Sequence, residues 1–243
     1  MQLGTRDLKI IDDCFSRLRD VSRSTVILFN WIHGLDGPYD PLGRGQALYS
    51  EDGERWLQVR RSTTGSFNPE TATFVILARN AQIEEVVRKV EAGAEEPLAR
   101  QVFREAWNQI DVSPRAALVI GVSAAEVGLR GLIGFLIPDA RMQAPPVRKI
   151  LRKILPTLPV KAKWADGRPI TLPSELITQV KKAFDYRNKV VHVGAMPPSR
   201  RELAIMLRAI RDLLWICDVY LGEHWAIKHV SLETKKYWEA KGS

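Results

Sequence analysis

A chain of 243 residues is long enough for one large domain or two small ones. At 45% hydrophobic and 26% charged residues, its composition is that of an ordinary globular protein rather than a disordered or membrane-spanning one. The net charge of +8 favours anionic partners, and the two cysteines, Cys14 and Cys217, have no paired spacing, which fits a reducing, cytoplasmic setting.

Met1 to Asp12 is polar and charged, without the apolar run of a signal peptide. Residues 4–22 carry Leu8, Ile11, Phe15 and Leu18 near helical spacing and predict a short amphipathic helix. The pattern then changes. Ser24–His33 (STVILFNWIH) is β-branched and aromatic and predicts a strand ended by His33, followed by the turn-rich GLDGPYDPLGRG from Gly34 to Gly45. Arg55–Arg61 (RWLQVRR) and Ala72–Arg79 (ATFVILAR) are two further strand candidates. Residues 24–80 are therefore expected to form a small sheet of three or four strands. Trp31, Tyr49 and Trp56 would either pack in its core or offer a base-stacking platform.

Beyond Asn80 no strand signal competes. A charged helix is expected over 81–92, a break at Gly93, and a second helix from about 97 to 110. Ser113 and Pro114 form an N-cap and first-turn pair. The helix they open has Leu118, Val119, Val122, Leu129, Ile133 and Leu136 on one face and ends before Pro138. This stretch, Ala116–Ile137, is the most apolar of the chain. Glu126 and Arg130 interrupt it, and two central charges are costly in a bilayer, so a buried helix is expected. Residues 146–156 predict a short cationic amphipathic helix, with Val147, Ile150, Leu151 and Ile154 opposite its basic side chains. Thr171 and Pro173 open the next helix, which runs through Leu176, Val180, Phe184 and Val191 to a stop at Gly194. The capping box Ser199-Arg200-Arg201-Glu202 starts a last long helix. Its stripe is Leu203, Leu207, Ile210, Leu214, Cys217 and Leu221, and Gly222 ends it. A tail with Trp225 and Trp238 is expected to add a final helix or strap. Short to moderate connections suit an antiparallel bundle. The expected fold is thus mainly α: a helical bundle over residues 81–243, preceded by a small β-containing (α+β) portion over residues 1–80.

Two groups of residues carry possible chemistry. Between Pro138 and Lys163, seven basic side chains (Arg141, Arg148, Lys149, Arg152, Lys153, Lys161 and Lys163) face the single acid Asp139. The patch fits a polyanion such as RNA, DNA or anionic lipid, and Arg148, Lys149, Arg152 and Lys153 could guide RNA toward a cleft; they could equally form a solvated helix face. The second group closes the helix before Gly194: Asp185, Tyr186, Arg187, Asn188, Lys189 and His192. Arg187 is a permanent cation whose planar fork suits phosphate oxygens, and His192 is of a type that titrates near neutral pH. Together they supply what metal-free phosphodiester cleavage needs, a proton-transfer group beside a stabiliser of developing negative charge. The plainer alternative is that cations in a last turn complement the helix dipole. Glu126 shares a helical face with Val119, Val122, Leu129 and Ile133, so it needs a partner, and Arg130 one turn on is a local candidate. His224 and His229 have no cysteine or close acidic cluster to complete a metal site, and neither a metal nor a cofactor is expected.

RNKVVH, Arg187 to His192, resembles the Arg-x4-His signature of HEPN domains, in which a polar residue, often Asn, follows the Arg. The surroundings are similar too: the signature closes a helix, a Pro/Ser break follows, and a long final helix comes next. SAAEVGLR, Ser123 to Arg130, is similar to an earlier bundle helix of that family with an acid in an alanine-rich run. The resemblance covers about residues 97–222. It implies a four-helix bundle that dimerises and brings two Arg/His pairs to a shared cleft. Many members are metal-independent endoribonucleases of toxin–antitoxin, abortive-infection and CRISPR systems. The implied chemistry is attack of an RNA 2′-hydroxyl on the adjacent phosphate, with His192 moving protons, Arg187 stabilising charge, Asn188 orienting the scissile group or His192, and Glu126 holding Arg187. The implied partners are RNA, a second copy of the chain, and an antitoxin or partner protein; no membrane is expected. One subgroup carries Arg-x4-His-x-Tyr, and a partner nucleotidyltransferase modifies that tyrosine. Gly194 stands at that position here, so this regulation is not implied. Other members are non-catalytic, so an interaction module and a basic nucleic-acid-binding protein remain the alternative readings.

Overall fold

Ser24–His33 does not form a strand. It continues a single helix, α1, from Thr5 to His33. The β-branched and aromatic residues of this run oppose a helix by less than about 0.7 kcal/mol each, and packing outweighs that. Leu28, Trp31 and Ile32, at helical spacing, are all buried. Thr25 returns its hydroxyl to the Val21 carbonyl at 2.8 Å. His33, stacked on Phe29 one turn earlier, closes the helix. A second helix, α2 (Asn80–Glu91), packs with α1: Val86 is buried, and Lys89 lies 5.0 Å from the centroid of the Trp31 ring while reaching Glu85 at 3.7 Å. Trp31 therefore sits inside a helix pair, neither in a sheet core nor as an exposed platform.

A computed structural model describes residues 5–34, 48–49, 57–58, 80–136 and 172–239. Of the expected sheet, these hold an antiparallel pairing of two residues each, β1 (Leu48–Tyr49) and β2 (Leu57–Gln58), with Leu48 opposite Gln58. Trp56, the strand candidate Ala72–Arg79 and the cationic helix over 146–156 lie outside the described residues. The chain divides into two compact units, Met1–Glu96 and Pro97–Ser243.

The second unit is a helical bundle. Its elements are α3 (Leu98–Asn108), α4 (Pro114–Leu136), α5 (Ser174–His192), α6 (Arg200–Tyr220), a 3-10 turn over His224–His229, and α7 (Leu232–Glu239). The starts follow local chemistry. The Ser113 hydroxyl accepts from the Ala116 N–H, and Ser199 and Glu202 close a reciprocal capping box on α6. Gly121 and Gly128, seven residues apart on α4, explain how three helices meet. A Cβ on Gly121 would overlap Leu207 and touch Ala106; one on Gly128 would come within 2.5 Å of Leu214 and 3.3 Å of Ala99. The partners are again seven apart, rising along α6 and falling along α3. So α4 runs parallel to α6 and antiparallel to α3, and at both levels a larger residue on α4 would have to displace a leucine methyl of α6. α4 is long and apolar enough to cross a membrane, but half of its most apolar window is buried within the protein.

Between Asp212 and Tyr220 every residue of α6 is buried. Two of them are carboxylates, and buried charge requires partners. Asp218 accepts from Arg100 Nε at 3.0 Å and Nη2 at 2.8 Å, and both side chains are 5% exposed. The same guanidinium lies 3.3 Å from the centre of the Trp215 ring. Asp212 accepts from the Ser231 N–H (3.1 Å), the Ser231 hydroxyl (2.5 Å) and the Thr234 hydroxyl (2.6 Å), which caps α7. Trp225 and His229 of the tail pack on Trp215, with ring centroids 6.1 and 4.8 Å away. The expected strap is thus latched by one carboxylate and one tryptophan.

Gly128→Val should lower stability by about 1–3 kcal/mol through overpacking against Leu214 and Ala99. Gly131→Ala, where a Cβ meets nothing within 4 Å, should leave it unchanged or raise it by up to about 1 kcal/mol. Urea unfolding of the two variants checks the contrast.

Candidate functional site

α5 buries Leu176, Val180, Ala183 and Val190, positions spaced by four, three and seven. Arg187 falls in the same register, between Ala183 and Val190, so its backbone faces the bundle. A cation on a packing face must be met by an anion, and α4 supplies it. Arg187 Nη2 donates to Glu126 Oε1 at 2.7 Å, with side-chain exposures of 22% and 27%. Glu126 therefore pairs across the bundle and not with Arg130, which is exposed. Arg187 Nη1 donates to Asn188 Oδ1 at 3.1 Å. Two of its donors are thus engaged, and the side chain as a whole is 22% exposed.

Asn188 and His192 are both exposed. They are one turn apart on α5 and so share a face. His192 is the last residue of the helix and makes no hydrogen bond or ion pair among the described residues. Arg187 and His192 differ by about 140° around the axis and about 7.5 Å along it. One chain therefore lines up Glu126, Arg187 and Asn188 in a bonded row, with His192 facing outward one turn beyond. Gly194 explains how the helix stops there. Its φ is +69°, and the Lys189 carbonyl accepts from Val193 N–H (3.0 Å) and Ala195 N–H (3.2 Å) around it. A tyrosine in this backbone conformation would be strained.

Sequence reasoning missed the contacts that fix the other side of α5. Glu202, known only as a cap residue, also reaches back: its Oε1 accepts from Lys182 Nζ at 3.3 Å and from the Tyr186 hydroxyl at 3.5 Å, while Oε2 serves Ser199. The hydrogen bonds from Ser199, and then from Lys182, hold the Glu202 carboxyl below its ordinary value. Arg200 pairs with Asp111 from the turn between α3 and α4, which lowers the Asp111 carboxyl. The C-terminal half of α5 is thus braced toward α4 by Glu126 and toward α6 by Glu202. Arg148, Lys149, Arg152 and Lys153 lie outside the described residues. Among those described, no group of three or more His, Cys, Asp or Glu converges. No protein-family model matches the chain, and neither does any curated protein or any solved structure.

A Glu126→Gln, Arg187→Gln double-mutant cycle should give a coupling of about 1–2 kcal/mol in urea unfolding, between the surface and buried limits for an ion pair. A coupling near zero would mean that Glu126 does not hold Arg187 in solution.

Proposed function

We propose that this chain is a metal-independent endoribonuclease of HEPN type, built on a four-helix bundle and acting as a cytoplasmic homodimer in a toxin- or defence-like setting. The observation that carries this reading is the row Glu126–Arg187–Asn188: a guanidinium fixed at 2.7 Å by one carboxylate, and an exposed His192 one turn on. In the proposed reaction the ribose 2′-oxygen attacks the adjacent phosphorus and the bond to the next nucleotide's 5′-oxygen breaks. The products are a 2′,3′-cyclic phosphate and a 5′-hydroxyl. One His192 takes the 2′-hydroxyl proton and a second His192, protonated, delivers one to the leaving 5′-oxygen. Arg187 neutralises the charge gathering on the non-bridging oxygens, and pre-fixing it spares the reorganisation that a free side chain would need. Asn188 orients the scissile group or His192, and Glu126 keeps Arg187 from collapsing elsewhere.

The angular offset of Arg187 and His192 supports the dimer in this reading. A second copy related by a two-fold axis brings its own His192 toward this Arg187, which one helix does not do by itself. The basic residues Arg148, Lys149, Arg152 and Lys153 would draw the RNA in. A second reading, a non-catalytic HEPN-type interaction module, is favoured by the same ion pair taken at face value: Glu126 already neutralises Arg187, and a structural strut between α4 and α5 needs no substrate.

Incubation of total RNA with EDTA present separates the two. The wild type should cut it and leave 2′,3′-cyclic phosphate ends, while Arg187→Ala and His192→Ala should each lose at least about 100-fold in rate. No cutting by the wild type, with both variants dimeric and folded, would leave the interaction module.

A further inference from the structure

Lys182, Tyr186 and Lys189 follow each other along α5 at spacings of four and three residues and so form one stripe of the helix. The lysine ammonium groups lie 5.7 and 6.0 Å from the centroid of the Tyr186 ring, one on either side along the helix. The ring is half-buried, and its hydroxyl donates to Glu202, which also holds Lys182 and is itself pinned by Ser199. Tyr186 is therefore oriented from its hydroxyl end, while Lys189 is exposed and makes no ion pair among the described residues. On an ideal helix Lys189 precedes His192 by about 4.5 Å of rise and about 60° of rotation, so the stripe runs directly up to the histidine.

We infer that the Lys182–Tyr186–Lys189 stripe is a contact surface for single-stranded RNA that leads the strand to His192. Tyr186 stacks one base, and Lys189 holds a phosphate beside the scissile one. A flat ring with cations at both ends matches the two features that repeat along a single strand, a base with a π-face and a charged phosphate. The exposed Val193 follows Lys189 by four residues, but between Lys182 and Lys189 the stripe presents only two cations and the Tyr186 ring, which suits a charged strand better than an apolar protein face. The Glu202 brace spares the entropy of ordering the ring on binding. The choice of RNA rests on the ribonuclease reading, but the surface itself is assigned from these contacts.

The test measures binding without chemistry. A labelled, fully 2′-O-methylated single-stranded RNA oligonucleotide has no free 2′-hydroxyl to attack, and its affinity is read by fluorescence anisotropy across a salt series. Tyr186→Ala should weaken binding about ten-fold, the scale of one lost base stack, and Tyr186→Phe, which keeps the ring and loses the Glu202 brace, should weaken it less. Lys189→Gln, an exposed change that leaves the fold alone, should weaken binding and flatten the salt dependence by about 0.7 in slope, one phosphate contact. Wild-type affinity and slope in Lys189→Gln and Tyr186→Ala, or no binding by the wild type, would overturn the assignment. If the variants bind weakly as expected but the wild type never cuts unmodified RNA, the contact surface stands and the ribonuclease reading falls.

Discussion

From Asp212 to Tyr220, α6 has no solvent face, and two carboxylates lie within that stretch. An unpartnered carboxylate in such a place costs several kcal/mol, so the surrounding elements are bound to answer it. Arg100 of α3 comes to Asp218 and stacks on Trp215; Ser231 and Thr234 come to Asp212 and bring α7 with them. Gly121 and Gly128 let α4 close on the same helix. The arrangement of α3, α4 and the tail answers a helix whose last nine residues are buried and hold two carboxylates.

α5 is held differently, and that difference matters for function. It has a thin apolar stripe, and its C-terminal half is secured by polar contacts on both sides, Glu126 from α4 and Glu202 from α6. Hydrogen-bonded braces fix directions, where apolar packing mainly fixes distance. In the proposed reading the Arg187 guanidinium meets a phosphate and the Tyr186 ring a base, and both contacts need fixed direction.

Helix ends in this bundle were legible because capping acts within a turn: Ser113, Ser199 with Glu202, Gly194 and Gly222 each mark a boundary that the structure reproduces. The stripe of α6 was legible too, since Leu203, Leu207, Ile210, Leu214 and Cys217 are all buried. On α5 the face was misjudged at its end. Val191 is half exposed, and Ala183 and Val190 are buried instead, because the true register passes through Arg187, which a hydrophobicity pattern scores as surface. The strand expected over Ser24–His33 failed for a related reason: residue type suggested β, while the spacing of Leu28, Trp31 and Ile32 already matched a helix. Contacts between distant positions had no local signal at all. Arg100 and Asp218 stand 118 residues apart, and nothing in either segment announces the pair. Glu126 and Arg187 were expected to meet only through the HEPN resemblance.

The most direct test of the account compares one labelled random-sequence pool made twice, as RNA and as its fully 2′-O-methylated counterpart, each incubated with the wild-type protein and EDTA. Attack by the substrate's own 2′-hydroxyl predicts that the RNA pool is shortened to products with 5′-hydroxyl ends while the methylated pool stays intact. Cleavage of both pools, or of neither, would contradict it.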